Sequence, residues 1–311
     1  MLPPGGNGRI DAVVLRRWLS RGKVAFADPD AEMLFTVLAL LGVSGPDDGL
    51  AALRFWGQTG DRVGAWMVAA DPVHLETRLH SLRLRSLRPG ELSGRELGRL
   101  FDHLQTTLGT DAGISFTRLN YYGYLRCDKP IASAPVSASV LHGLPPDEFI
   151  AGGESAPAHN QLLGELQMAL HDHEVNQERA ATGQPEINSL WIWGGGFAPE
   201  VVPKALPFLI ADDALFRGYW HSCAGEGTDW DDGFEDMKTD FVAVMPELNP
   251  VDSAAAMDDC LERVKRMLAH GKIASVTMLF RDGLSVQMNR WDTLMLWRGE
   301  SPLLQKNENN D

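Results

Sequence analysis

His173, Asn176 and Arg179 recur at every third position in the run LHDHEVNQERAATGQPEINSLWIWGGG, residues 170–196. On an α-helix that spacing covers a face of roughly 120°, so an imidazole, a carboxamide and a guanidinium converge on one place and suit an anion or a partner surface. The same side chains also suit a clamp, because polar groups near a helix end satisfy free carbonyls and Arg179 complements the negative end of the dipole. Residue type alone leaves both readings open. His171 stands outside the group: two positions from His173 is about 200° around a helix, whereas a two-histidine zinc site needs i, i+4 spacing.

Further polar positions flank this run. Asn188 closes the turn that starts at Gly183, and Trp193 leads into Gly194, Gly195 and Gly196. Glycines directly after a strand let backbone N–H groups form an anion-accepting nest. Without the GxxxxGK[ST] spacing they read equally as a hinge or a close-packed turn. Asp71-Pro72-Val73-His74 offers an Asp/His pair that would meet across a turn, the proline keeping Asp71 extended, as a brace or as a ligand contact. The candidate ligand-binding set is therefore Asp71, His74, His173, Asn176, Arg179, Asn188, Trp193, Gly194, Gly195 and Gly196. Cys223 beside His221, with Asp212 upstream, comes nearest to a nucleophilic group, but adjacency in sequence is not the spatial relation such catalysis needs. No catalytic residue, metal ligand or cofactor is assigned.

The elements that must position these residues follow from periodicity and caps. A helix is expected over Pro29–Leu41, with Asp28 as N-cap and Gly42 as the stop. A strand is expected over Val63–Ala70, leading into Asp71-Pro72, and alternation over Leu79–Leu87 predicts another. Overlapping that second stretch, the basic run Arg78–Arg88 reads first as a half-buried strand and second as an anion-binding surface. Ser93-x-x-Glu96 is a capping box, opening an amphipathic helix that continues to Gly109. Ile114–Cys127 reads as two short strands and Pro130–Ala158 as a long loop. One helix is expected over His159–Ala181, ended by Gly183, then the strand Ser189–Trp193. Beyond it the pattern alternates: strand Ala205–Ala211, a helix after Asp213 capped by Asp212 and Asp213, strand Asp240–Met245, helix Ser253–Ala269 and strand Ile273–Phe280. Arg281-Asp282-Gly283 then turns tightly into Leu284–Met288. Alternating strands and helices imply a partly parallel sheet, and the polar tail 305–311 is expected to be disordered.

Composition narrows the setting. With 311 residues, 44% of them hydrophobic, the chain can bury a substantial core. A formal charge of −14 argues against a nucleic-acid partner. Three widely spaced cysteines without a CxxC fit a reducing cytoplasm, and without a long apolar run neither export nor a membrane partner is expected.

The pattern Asp172-His173-x-Val175-Asn176-x-x-Arg179, Gly183-x-Pro185-x-x-Asn188 and Trp191-x-Trp193-Gly194-x-Gly196 resembles a segment of the archaeal-type cofactor-independent phosphoglycerate mutases. Over its length the chain is similar to a bacterial relative, the RpfE-type regulatory proteins, which share the Asp71–Leu75 run. The resemblance implies an α/β fold: a degenerate alkaline-phosphatase-like core with an inserted α+β lobe. The core would comprise residues 1–62 and 197–300, the lobe 63–196, and the tail 301–311. Family members hold two metal ions with Asp and His residues and use a Ser or Thr nucleophile. Here the N-terminal DGxxD-type motif and nucleophile run are missing, Met245 stands where the first His of a later strand is expected, and the strand ending at Phe280 runs into Arg281-Asp282-Gly283 where Asp-His is expected. The resemblance thus implies a non-catalytic regulatory protein, binding a small anionic metabolite or a protein partner. Its rival is an active metal-dependent phosphoglycerate mutase or phosphatase with ligands drawn from elsewhere.

Overall fold

The computed structural model describes residues 13–26, 31–78, 81–87, 89–109, 113–149, 156–230, 233–247, 250–295, 297–299 and 301–304. The expected cap at Asp28, the Pro29 start and the tail 305–311 lie outside these residues. In chain order the elements are α1 (Val13–Leu19), β1 (Lys23–Phe26), α2 (Met33–Leu41), α3 (Leu50–Thr59), β2 (Trp66–Thr77), β3 (Leu82–Ser86), α4 (Gly94–Leu104), β4 (Ile114–Leu119) and β5 (Tyr122–Cys127). There follow α5 (Ala156–His171), α6 (Glu174–Ala181), β6 (Ser189–Gly196), β7 (Phe208–Ala211), α7 (Ala214–Ser222), β8 (Gly227–Thr228), β9 (Phe241–Val244), α8 (Pro250–Ala269), β10 (Ser275–Leu279) and β11 (Leu284–Asn289). The architecture is mixed α/β, as the sequence implies.

The chain forms two compact units, one of residues 30–204 with 214–224, the other of 1–29, 205–213 and 225–311. These units do not break at 63 and 196. Helices α2 and α3 fall in the first, where α3 packs on α7 through two facing glycines. A Cβ at Gly57 would lie 1.9 Å from the Ala214 carbonyl oxygen, and one at Gly218 would lie 1.8 Å from that of Leu53.

The first unit is built on an antiparallel sheet ordered β3-β2-β5-β4, with β6 also paired to β2. Strand β2 is its spine and runs straight through Asp71-Pro72-Val73-His74, where the sequence suggested a turn. Proline is tolerated there because β2 changes partners: residues 66–69 pair with β5 and residues 73–77 with β3, leaving Pro72 between the two ladders on that side. Apolar side chains of α4, α5, β2, β5 and β6 close one core, among them Leu97, Leu100, Leu166, Leu170, Ile192 and, from β2, Val68. The capping box forms as expected, with Ser93 Oγ accepting from the Arg95 and Glu96 N–H groups and the Ser93 N–H donating to Glu96 Oε2.

The helix expected over His159–Ala181 is two helices. At the break, Asn176 Nδ2 donates to the Leu170 carbonyl at 2.8 Å, taking an acceptor that an unbroken helix would give to the backbone of residue 174. His173 sits extended at φ −67°, ψ 137°, and its Nδ1 accepts the Val175 N–H. A helix boundary written in side chains overrode uninterrupted apolar spacing.

The second unit contains the parallel sheet that the alternation implies, ordered β8-β7-β9, together with an antiparallel sheet β1-β11-β10. Strand β1, only four residues long, escapes periodicity. The turn after Phe280 forms as read, Gly283 taking φ 82° and donating to the Phe280 carbonyl. Trp18, Ile210, Met245, Met257, Phe280 and Val286 belong to the core of this unit.

Candidate functional site

The candidate residues gather in the first unit, along β2 and β6 and the turn before β6, but as two separate constellations. In the first, Asp71 of β2 faces Arg54 of α3. Arg54 Nη1 and Nη2 reach the two Asp71 oxygens at 2.8 and 2.9 Å, a bidentate pair. Arg54 Nε donates to the Tyr124 hydroxyl at 3.0 Å, Nη2 also donates to the Gly123 carbonyl, and Tyr124 donates onward to Gln58. Trp193 Nε1 completes the cluster with a 2.7 Å bond to Asp71 Oδ2. The rings of Tyr122, Tyr124 and Trp193 lie 4.7, 4.7 and 5.1 Å from the guanidinium carbon, so three π systems border the cation.

Burial sets the electrostatics of this cluster. Arg54 is 5% exposed. Desolvation alone would lower its pKa, but Asp71 and the two tyrosines outweigh it and hold the guanidinium above the ordinary arginine range. Burial pushes the Tyr124 hydroxyl up, so it stays protonated and can donate to Gln58. A charge so fully paired is a brace: each partner is fixed by another, and no bond points at a vacant position.

The second constellation clamps the turn between α6 and β6. Asn176 bonds the Ile187 backbone twice, Nδ2 to its carbonyl and Oδ1 from its N–H, besides the bond to Leu170. Arg179, 1% exposed, donates from Nε to the Pro185 carbonyl and from Nη1 to the Glu91 carbonyl and Glu96 Oε1. Its Nη2 is without a partner among the described residues. Asn188 pairs with both backbone groups of Leu75, extending the β2–β6 ladder by a side chain, and His74 Nδ1 meets the Glu186 carbonyl at 2.9 Å. Asp71 and His74 do not meet: on a strand, residues three apart point to opposite faces. Nor does His173 share a helical face with Asn176 and Arg179, since it is the cap of α6; its ring lies 4.9 Å from that of His103 on α4.

The three glycines are not an open nest. They continue β6, with the Gly194 N–H donating to the Ala134 carbonyl and the Gly195 N–H to Ser133 Oγ. Their small size serves a close crossing, for a Cβ at Gly196 would lie 2.3 Å from the Gly49 nitrogen. Asp212, expected to cap α7, accepts the Trp230 N–H instead. Cys223 is buried, and the His221 ring lies tilted 51° to that of Trp56 at 6.1 Å. Burial, then Asp128, pushes the Cys127 thiol up to about 11, far from a nucleophile's range.

Arg54, Gln58, Tyr122, Tyr124 and Glu96 were absent from the sequence-level set. The signal for Arg54 was present: a lone cation in the apolar helical run LAALRFWG must either reach solvent or find an acid. Which acid depends on long-range pairing that no local pattern carries.

Fold and site together define a mixed α/β protein with an internally braced antiparallel lobe. No family model matches the chain. Curated relatives narrow its lineage: it is 28% identical over 142 residues to the 2,3-bisphosphoglycerate-independent phosphoglycerate mutase of Methanosarcina barkeri, covering 44% of this chain and 35% of the relative. It is 29% identical over 130 residues to mutase 2 of Methanothermobacter thermautotrophicus (39% and 31% covered) and 25% identical over 134 residues to a probable mutase of Geobacter sulfurreducens (42% and 33%). The matched stretch thus spans about a third of these relatives. Among solved structures, the cofactor-independent phosphoglycerate mutase of Thermoplasma acidophilum aligns with a TM-score of 0.40 at 18% identity, over 93% of this chain and 88% of that one. The PH0037 protein of Pyrococcus horikoshii aligns with a TM-score of 0.47 at 14% identity (88% and 79%). The sequence matches establish a distant homology to the cofactor-independent phosphoglycerate mutases.

Proposed function

We propose that this protein is a non-catalytic relative of those mutases, acting in regulation in the manner of the RpfE-type proteins by binding a small anionic metabolite or a protein partner. The observation that carries the reading is Met245. In parallel α/β sheets ligands gather beyond the carboxyl ends of the strands. Met245, directly after β9, is 4% exposed and belongs to the same apolar core as Ile210, Met257 and Phe280. A thioether in that core is a poor substitute for an imidazole ligand to a catalytic divalent ion. Among the described residues, no three His, Cys, Asp or Glu side chains are grouped to hold a metal. Asp71, His74, His173, Asn176, Arg179, Asn188, Trp193 and Gly194–Gly196 then serve as the retained framework of an enzyme lineage.

The test is metal analysis of protein purified without chelator, paired with a phosphoglycerate mutase assay in added manganese and a thermal-shift titration with 3-phosphoglycerate. Substoichiometric metal and no turnover are expected. A thermal shift would assign binding to the metabolite, and its absence to a protein partner. Stoichiometric manganese or zinc with turnover overturns the proposal and establishes an active mutase.

A further inference from the structure

We propose that the turn following β11, formed by residues 290–295 with Trp297 and Arg298, is a docking face for an anionic lipid bilayer. Trp291, Leu294 and Trp297 are 61%, 63% and 80% exposed, and Trp297 is the most exposed large apolar side chain among the described residues. Indole rings combine an apolar body with a polar N–H, which favours the headgroup layer of a bilayer over water. A protein partner would have to offer shaped pockets to such projecting side chains, whereas a lipid interface receives them without one.

Cations surround the same turn. Arg21 Nη1 donates to the Thr293 carbonyl at 2.7 Å, and Arg298 Nη1 donates to the Arg21 carbonyl, so the two guanidinium groups are tied to the turn. The Arg290 guanidinium carbon lies 4.5 Å from the centre of the Trp291 ring. Lys23 follows Gly22, whose carbonyl also accepts from Arg298. None of these four cations has an ion-pair partner among the described residues. Asp292 opposes them, but its Oδ2 accepts the Asn289 N–H at 2.9 Å. The chain's charge of −14 does not forbid the contact. At physiological ionic strength, charges beyond about 8 Å are largely screened, so at contact the local cations decide. The contact departs from the sequence expectation of no membrane partner, which rested on the lack of a long apolar run: a peripheral contact needs no spanning helix, and none of the described helices is long and apolar enough to span.

The experiment is flotation of the full chain with vesicles of phosphatidylcholine alone or of phosphatidylcholine and phosphatidylglycerol in equal parts, with tryptophan emission followed in parallel. Flotation only with the anionic vesicles, a blue-shifted emission and weakening by salt are expected. Trp297→Ala and Arg290→Glu should each lower partitioning about fivefold or more, with circular dichroism and Tm unchanged, since both side chains lie at the surface. No flotation, or flotation indifferent to both substitutions, overturns the proposal. An acidic peptide that binds and is lost in the same variants, without vesicle association, assigns the face to a protein and overturns it equally.

Discussion

The two units treat buried polarity in opposite ways. In the first, Arg54, Asn176 and Arg179 lie in the interior, and most of their donors are met by a named oxygen. In the second, Met245 and Phe280, directly after β9 and β10, are apolar and belong to the core. Polar groups survive inside only where their partners come with them, because an orphaned partner costs more than the pair contributes. On the function proposed above, a ligand set that lost its ion would have no such partners, and apolar replacement would be the stable outcome.

Removing one member of the Arg54 pair should break the contrast most severely. Asp71→Ala strands a guanidinium whose side chain is 6% exposed, and also deprives Trp193 of its acceptor. A loss of ~3–5 kcal/mol in urea unfolding is expected. The double variant Arg54→Met with Asp71→Leu should recover a large part of that loss. If Asp71→Ala alone were near neutral, the pair would not be the brace described above.

The reciprocal change imports polarity into the apolar unit. Met245→His places an imidazole among Ile210, Met257 and Phe280, where nothing in that apolar core is positioned to satisfy it. A destabilisation of ~2–3 kcal/mol is expected, measurable by the same unfolding. Manganese or zinc should not restore it. Restoration by metal would mean that the ligand set is still largely in place.

What the sequence disclosed follows the same division. Local signals were legible: the Ser93 capping box, the Gly42 stop, the hairpin at Arg281-Asp282-Gly283 and the parallel pairing implied by alternation. Misreadings occurred where a side chain acts over distance. Asp71-Pro72-Val73-His74 reads as a turn that would bring Asp71 and His74 together, yet β2 runs through it with a change of partner at Pro72. His173, Asn176 and Arg179 seemed to share a face because three-residue spacing implies an unbroken helix, whereas Asn176 itself takes the Leu170 carbonyl and helps to end one. Arg54 and Tyr124 are 70 positions apart and become partners only when α3 packs against the sheet.

The smallest effect tests the boundary between α5 and α6, where titration enters. His173 Nδ1 caps α6 by accepting the Val175 N–H, which only the ring unprotonated at that nitrogen can do. Burial first, then the charge of His103, lowers the His173 pKa below its ordinary 6.5, with Glu174 and Glu178 opposing and Arg99 assisting. Because the folded value is the lower one, the unfolded chain binds the proton first, so stability is retained above pH 6.5 and declines as pH falls below it. His171 and Asp172 beside it on the chain are exposed, and the Arg99 pairs with Glu174 and Glu178 lie at the surface. His173→Ala should cost about 1 kcal/mol at neutral pH through the lost cap. His173→Asn should keep the cap, since an amide oxygen accepts at any pH, and should flatten the acid limb of a stability–pH curve. An Asn variant whose acid limb matches the wild type would place the titrating group elsewhere.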